Sequence, residues 1–138
     1  EVVSWLLDTN VISELSRPAP EAKVVQWLSA HEDELFLSVL TLGEIQKGIA
    51  SLPDSKRRRR LTRWLDAEIR PWFAGRLLPV DESVSLRWGR MLAEAGRPLP
   101  AVDSLIAATA LTHDMTLATR NTQDLARTGV SLFNPWEE

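Results

Sequence analysis

The sequence contains no cysteine and no tyrosine, and its only histidines are His31 and His113. The lack of cysteine excludes disulfide bonds, a thiol nucleophile and thiolate metal sites. Two histidines leave few ways to build a Ser/His/Asp triad and almost none to build a structural zinc site. Any enzymatic chemistry in this chain must therefore depend on carboxylates.

Long hydrophobic runs are also lacking, since no segment approaches the roughly 18 apolar residues of a membrane span. The chain is 44% hydrophobic and 25% charged, with a mean hydropathy of -0.13, which is typical of a soluble globular protein. A length of 138 residues predicts one domain over residues 1–138. No secretion signal pattern is apparent, so we expect a cytoplasmic protein that does not contact membranes.

Positive charge is scarce overall but locally concentrated. The net charge is -3 and the pI is near 5.5, which argues against a general nucleic-acid coat protein. Eight of the 16 lysines and arginines nevertheless lie between Lys56 and Arg76. Arg57–Arg60 surround a helix, so they form either a solvated surface or, in part, a track for backbone phosphates. Arg58 and Arg59 are the candidate substrate-binding residues.

Strand and helix patterns alternate along the chain. Strands are predicted at residues 2–7, 35–40, 76–81, 115–120 and 130–134. Helices are predicted at residues 10–15, 21–30, 41–52, 82–95, 101–113 and 121–128, with a longer one from Ser55 that is broken near Pro71 and ends at Gly75. This alternation predicts an α/β fold with a mainly parallel sheet and helices on both faces.

Carboxylates fall where such a sheet places its ligands, outside the carboxyl ends of the strands. Asp8 ends the first strand and Glu44 lies in the helix after the second. Asp103 opens an apolar helix, and Asn121 and Asp124 follow the fourth strand. The order of these residues predicts that several acids converge when the chain folds.

Most of these residues also have a simpler interpretation. Thr41 with Glu44 matches a helix-capping box, and Asn121 with Asp124 matches an N-cap followed by an acid near the helix dipole. Asp103 also suits a first-turn acid that interacts with the helix dipole. These structural interpretations remain open for each residue taken alone.

Convergence of the acids is what favours a site. Asp8 has no capping pattern that requires aspartate rather than serine. Two like charges 4 Å apart repel by roughly 4 kcal/mol at an effective dielectric near 20, so caps alone would not be gathered together. Oxygen ligands without histidine or cysteine suit Mg²⁺ or Mn²⁺, which can activate water and hold phosphate oxygens.

Four motifs in this order, LLDTNVIS, LTLGEI, AVDSLIAATA and LATRNTQDL, resemble those of PIN-domain proteins. The similarity extends over essentially the whole chain and is to VapC-type toxins of bacterial toxin–antitoxin pairs. The segments FAGRLLPVDE and FNPW resemble the FitB-like branch of that family. The resemblance implies a three-layer α/β/α sandwich and a metal-dependent endoribonuclease.

The resemblance also implies roles for individual residues. Asp8 and Asp103 match the principal metal-binding acids, with Glu44 and Asp124 as further ligands of one or two Mg²⁺ or Mn²⁺ ions. Asn121 stands where relatives often have aspartate, so we expect it to orient water. Family members keep supporting hydroxyls near the site, and these match Thr9 and Thr119.

The partners implied by the resemblance are an antitoxin of the VapB or FitA type and an RNA substrate. DNA would be contacted only through the antitoxin, and the toxin is expected to be a homodimer. Tryptophans 5, 27, 64 and 72 are either core residues or the lining of a groove for a partner helix. Trp88 and Met91 are candidates for self-association.

Two other functions remain possible at this level. An aspartyl phosphatase would also begin with a strand-end aspartate, but it usually has a second aspartate two positions later, where this chain has Asn10. A weakly active or inactive PIN module could instead serve as the partner of a DNA-binding antitoxin in an autoregulatory complex.

Overall fold

The computed structural model describes residues 3–137 and contains an all-parallel sheet of five strands. The strands are β1 (Trp5–Leu7), β2 (Leu35–Ser38), β3 (Leu77–Leu78), β4 (Thr116–Ala118) and β5 (Leu132–Phe133). They lie in the order β3-β2-β1-β4-β5, so the mainly parallel sheet predicted from the sequence is confirmed. The first strand was expected from Val2, which lies outside the described residues.

Eight α-helices connect the strands in the described part of the chain. They are α1 (Thr9–Ser13), α2 (Ala22–Ala30), α3 (Val39–Ala50), α4 (Lys56–Trp64), α5 (Arg70–Trp72), α6 (Glu82–Ala95), α7 (Ala101–Thr112) and α8 (Thr122–Leu125). Short 3-10 turns lie at Glu14–Ser16, Glu32–Glu34 and Ala126–Thr128. Within residues 3–137, no helix has the length and apolar character needed to span a bilayer.

Helices cover both faces of the sheet because successive strand residues point in opposite directions. Leu7 belongs to a core formed with α1 to α5, whereas Leu6 belongs to a second core formed with α6, α7 and α8. In β2, Leu37 faces the first core and Phe36 the second. The predicted α/β/α sandwich is therefore confirmed, and α7 is largely buried as its small apolar residues indicated.

The sheet places a crevice beside its central strand. The chain adds β2 and β3 on one side of β1 and then β4 and β5 on the other. The strand order therefore reverses between β1 and β4, which is where open parallel sheets bind ligands at the carboxyl ends of their strands.

The structure corrects the predicted start of α3. The helix begins at Val39, and its N-cap is Ser38, whose Oγ accepts a hydrogen bond from Leu40 N at 3.1 Å. Thr41 therefore lies inside the helix, and the capping-box interpretation of Thr41 and Glu44 is wrong. The strand β2 ends at Ser38, two residues earlier than predicted, because the Ser38 hydroxyl caps α3, which begins at the next residue.

The predicted break near Pro71 takes the form of a local widening of the helix. The π-helical turn Leu65–Ile69 connects α4 to α5, and Pro71 lies at the start of α5. Proline has no N–H and its ring conflicts with the carbonyl four residues earlier, so a wider turn relieves the conflict. The segment ends at Gly75, where φ is +83°.

Arg76 then fastens this helical segment to the beginning of β2. Its Nη1 donates to Glu32 O at 2.9 Å and to Leu35 O at 2.7 Å. Its Nη2 donates to Trp72 O at 2.8 Å. One guanidinium thus binds three backbone carbonyls from two parts of the chain.

The surface role expected for Met91 is wrong. Met91 is only 3% exposed and packs in the second core, so it is not available for self-association within this fold. Trp88 is half-buried, and its Nε1 donates to Ser104 Oγ at 2.9 Å.

Candidate active site

Asp8 lies at the end of β1, next to β4. Its backbone N–H donates to Ala118 O at 2.9 Å, which continues the ladder between the two strands. Its Oδ1 accepts from Thr9 N at 2.8 Å, and its Oδ2 accepts from Thr119 Oγ1 at 2.8 Å. Asp8 is therefore also the N-cap of α1, a structural role that its sequence context did not indicate. The side chain is held in one orientation by both partners.

Glu44 reaches the same region from α3. Its Oε1 accepts a short hydrogen bond from Thr9 Oγ1. The hydroxyl of Thr41 lies 3.0 Å from that of Thr9. Because the proton of Thr9 is directed at Glu44, Thr41 is the donor in this second contact. Thr41 and Glu44 are three residues apart and so share one face of α3.

Asn10 joins the end of β1 to the segment after β4. Its Nδ2 lies 3.4 Å from both Asp8 Oδ2 and Thr119 Oγ1, and its Oδ1 accepts from Arg120 N at 3.2 Å. Thr119 Oγ1 in turn accepts from Asn121 N at 3.0 Å. The amide of Asn10 thus fixes the loop that carries Asn121 relative to Asp8.

Asp103 and Asp124 come from the first turns of α7 and α8. Asp103 is half-buried, and Asp124 is exposed at the rim. Asn121 is the N-cap residue of α8 by position, but its side chain makes no capping hydrogen bond. The capping interpretation of Asn121 is therefore not supported, and its amide group is exposed.

The pKa of Asp8 is raised above its ordinary value. The largest cause is burial, since the residue is only 3% exposed. Hydrogen bonds from Thr119 and Thr9 oppose the shift, and the negative charges of Asp103 and Glu44 add to it. Asp8 therefore experiences the charges of two acids that are distant in sequence.

The pKa of Asp103 is also raised. Burial is again the first cause, followed by the negative charges of Glu44 and Asp124. These two shifts connect all four predicted acids into one electrostatically coupled group. The structure thus brings Asp8, Glu44, Asp103 and Asp124 to the same end of the sheet, where Thr9 contacts Asp8 and Glu44 and Thr119 contacts Asp8.

Glu14 is a buried acid outside the site, and its negative charge is compensated by hydrogen bonds and an ion pair within the protein. Glu14 is 5% exposed, its Oε2 accepts from Glu21 N at 2.8 Å, and its Oε1 lies 3.3 Å from Arg17 Nη1. The ion pairs found within residues 3–137 do not involve any of the four site acids. None of the four site acids therefore forms an ion pair with lysine or arginine within residues 3–137.

The side chains fit a hard divalent cation by chemistry. All four acids offer oxygen ligands, which Mg²⁺ and Mn²⁺ prefer, and their mutual repulsion is what such an ion relieves. Within residues 3–137, however, no group of three or more acid or histidine side chains lies in an arrangement that could hold a metal ion. Electrostatic coupling acts over longer distances than coordination does, so the two observations are compatible.

Comparison with known proteins places the chain in a family. The PIN domain family matches residues 5–130. The chain belongs to the PIN domain family. This PIN domain is 42% identical to toxin FitB of Neisseria gonorrhoeae over 96% of its own length and 99% of that protein. It is 40% identical to VapC ribonuclease Y4jK of Sinorhizobium fredii over 96% of its length and 97% of that protein.

Solved structures agree with this assignment. The structure of FitAB bound to the IR36 DNA fragment matches the PIN domain with a TM-score of 0.90, at 42% identity, over 96% of this chain and 95% of that chain. The crystal structure of FitAcB from Neisseria gonorrhoeae matches with a TM-score of 0.91, at 41% identity, over 97% and 99% of the two chains.

Arg58 and Arg59, the predicted substrate-binding residues, do not lie in the site. Arg58 Nη1 donates to Leu52 O at 3.1 Å, and Arg59 pairs with Asp54 at 3.1 Å. The cavity that contains Thr9 and Glu44 is lined by Arg57 instead.

Sequence reasoning missed two site residues, Asn10 and Thr41. The sequence pattern indicates Asn10 only as the residue at the position of a phosphatase aspartate, and Thr41 only as a helix cap. The available signal was spacing, since Asn10 follows Asp8 by two positions and Thr41 precedes Glu44 by one helical turn.

Proposed function

We propose that this PIN domain is an endoribonuclease that hydrolyses RNA phosphodiester bonds with Mg²⁺ or Mn²⁺. The observation that carries the proposal is the position of four acids at the carboxyl end of the parallel sheet, none of them in an ion pair with lysine or arginine in the described structure. The ribonuclease named among its relatives supports RNA as the substrate.

Asp8 and Asp103 would hold the cation, and Glu44 and Asp124 would complete its surroundings. The cation, when bound, supplies activation of water and stabilisation of negative charge on the phosphate. Asp8 is held in place by the hydroxyl of Thr119, and Glu44 by that of Thr9. Such supporting hydrogen bonds fix the orientation of ligands and tune their basicity.

The exposed amide of Asn121 lies at the rim, where it can orient water or substrate. Its backbone is tied to Thr119, so its position follows that of the Asp8 carboxylate. Arg120 lies over the ring of Trp136 at 4.7 Å, which orients the segment after β4 from the other side.

The nuclease proposal is tested by incubating purified protein with RNA in Mg²⁺, Mn²⁺ or EDTA. We expect cleavage only with the cation, with 5′-phosphate and 3′-hydroxyl products, and its loss in Asp103→Asn. Asp66→Asn is the matched control because Asp66 is exposed and pairs only with Arg70 at 3.5 Å. Equal cleavage in EDTA, or full activity in Asp103→Asn, would contradict the proposal.

We further propose that the protein is the toxin of a toxin–antitoxin pair, and that an antitoxin of the VapB or FitA type binds it. A FitAB structure of 42% identity contains DNA, and a structure of 26% identity is of a toxin–antitoxin complex from Klebsiella pneumoniae. A groove of about 590 Å³ is lined by both apolar and charged residues, and the charged ones are Arg17, Arg60, Arg63 and Glu68. Its apolar residues are Leu15, Leu61, Trp64, Ile69 and Trp72. The groove suits the apolar face of an antitoxin helix.

The alternative of an inactive binding module is separated by expression in cells. We expect the toxin alone to arrest growth, the antitoxin to relieve the arrest, and Asp8→Ala to abolish it. Arrest by Asp8→Ala equal to that of the wild type would favour the binding module. Contact with DNA only through the antitoxin, and a homodimeric toxin, remain part of this proposal.

A further inference from the structure

Two cavities meet at Arg57 on the side of the site that α4 covers. The first, of about 210 Å³, lies between α1, α3 and α4, with Thr9 and Glu44 on one side and Arg57 on another. The second, of about 530 Å³, adjoins it, since both are lined by Ser16, Arg57 and Leu61. Of the four acids, Glu44 lines the first cavity, so the two adjoining cavities extend from the Glu44 side of the site to Arg57 and Arg60.

The second cavity is rich in arginine. Arg17 and Arg60 line it together with Arg57. Arg57 and Arg60 are three residues apart and therefore share one face of α4. Within residues 3–137, neither of them forms an ion pair, and both are exposed. Arg17 contacts Glu14, yet 62% of its side chain remains accessible.

The two middle arginines of the run are directed elsewhere. Arg58 binds the carbonyl of Leu52, just beyond the end of α3, and Arg59 pairs with Asp54. The four arginines thus divide into a pair engaged with the protein itself and a pair that faces the cavities. This division depends on how α4 packs, and it differs from the pair that the sequence suggested.

We propose that Arg57 and Arg60, with Arg17, hold the backbone phosphates of the RNA strand whose scissile phosphate lies at the four acids. The inference rests on the proposed nuclease function and assigns its substrate-positioning residues. An acidic centre repels RNA, so cationic groups beside it are needed to hold the strand. The planar guanidinium forms paired hydrogen bonds with phosphate oxygens, which suits arginine to this role.

The inference is tested by measuring RNA binding as a function of salt. The probe is a fluorescently labelled single-stranded oligoribonucleotide, and the wild type in EDTA, where no cleavage is expected, serves as the non-cleaving parent. Arg57→Gln/Arg60→Gln is added to this parent. The matched control is Arg59→Gln/Arg70→Gln, which removes the same charge from exposed residues outside the two cavities.

The size of the expected effect follows from counterion release. Each phosphate contact contributes about 0.7 to the slope of log affinity against log salt for a single strand. Loss of two contacts should lower the slope by about 1.4, so between about 50 and 200 mM salt the parent should lose about sevenfold more affinity than the variant. Arg57→Lys/Arg60→Lys keeps the charge and should keep most of the slope.

A second readout separates a positioning role from a structural one. In the otherwise wild-type enzyme, Arg57→Gln/Arg60→Gln should raise KM for RNA and leave kcat nearly unchanged, with an unaltered melting temperature. A slope equal to that of the control pair, in a protein that still cleaves RNA, would overturn this inference alone. Absence of both RNA binding and cleavage in the wild type would overturn the nuclease proposal as well.

Discussion

Replacing Asp8 with asparagine removes charge from the buried acid of the site, keeps its size and keeps one oxygen acceptor for Thr9 N, and the hydroxyl of Thr119 can rotate to accept from the new amide. In EDTA at neutral pH, we expect Asp8→Asn to unfold at a higher temperature than the wild type. Burial disfavours the ionised Asp8 carboxylate, and the charges of Asp103 and Glu44 disfavour it further. A ligand residue kept for function thus lowers the stability of the metal-free protein.

The pH dependence of this difference has a definite sign. Folding raises the pKa of Asp8 above its ordinary value of 3.8, so the folded state binds this proton more tightly than the unfolded chain. The contribution of Asp8 to the free energy of unfolding is therefore fully present below that value and is lost as the pH rises through the folded-state pKa. The excess stability of Asp8→Asn over the wild type should therefore grow as the pH rises through this interval and then level off.

Manganese should reverse the order of stability. A ligand at 100 times its Kd stabilises the folded state by about 2.7 kcal/mol. For 138 residues, an unfolding entropy of about 2.1 cal/mol/K per residue converts this energy to a rise in Tm of about 9 °C. Asp8→Asn should show much less of this rise because it lacks the buried ligand.

Differential scanning calorimetry with and without Mn²⁺ measures both effects on the same samples. Asp66→Asn, which changes an exposed acid outside the site, should behave as the wild type in both conditions. The reasoning is refuted if Asp8→Asn melts below the wild type in EDTA, or if it gains the full stabilisation from Mn²⁺.

Three further expectations follow from contacts in the structure. Thr119→Val removes the hydroxyl that donates to Asp8, so it should raise the pKa of Asp8 further and weaken Mn²⁺ binding by about 10- to 100-fold in calorimetric titration; unchanged binding would contradict this. Arg76→Met leaves three backbone carbonyls without their donor and should cost about 2–4 kcal/mol in urea unfolding, whereas a loss below about 0.5 kcal/mol would show that water replaces the contacts. The antitoxin groove and the second cavity share Arg17 and Arg60. The antitoxin should therefore compete with RNA in anisotropy titrations. A stable ternary complex of toxin, antitoxin and RNA would contradict the overlap of the two binding surfaces.

The sequence was sufficient to predict the fold and the position of the acids at the carboxyl end of the sheet. Strand ends are marked by the change from apolar runs to Asp8 or to the Thr119 segment, and parallel strands bring such ends to one edge. The resemblance of four motifs to those of PIN-domain proteins then indicated which reaction to expect, the metal-dependent cleavage of RNA. These signals are local in sequence or fixed by topology, so they can be recognised without coordinates.

The remaining features depend on packing, which the sequence does not display. Ser38 rather than Thr41 caps α3, because the strand ends earlier than its apolar run. The structural role of Asn10 depends on the pairing of β4 with β1, because this pairing places Arg120 N within hydrogen-bonding distance of the Asn10 side chain. The face of α4 that lines the two cavities likewise depends on how this helix packs. Arg57 lines a cavity for this reason, whereas its neighbour Arg58 binds the carbonyl of Leu52.

The central claim is that carboxylates from four separate segments bind one divalent cation or a pair of them. Anomalous diffraction from crystals grown with Mn²⁺ tests it most directly, since the scattering locates the ion without reference to activity. The account predicts a manganese peak within coordination distance of the Asp8 and Asp103 carboxylates, and its loss in Asp103→Asn. A fully soaked crystal with no manganese at these carboxylates, or with manganese bound only elsewhere, would contradict it.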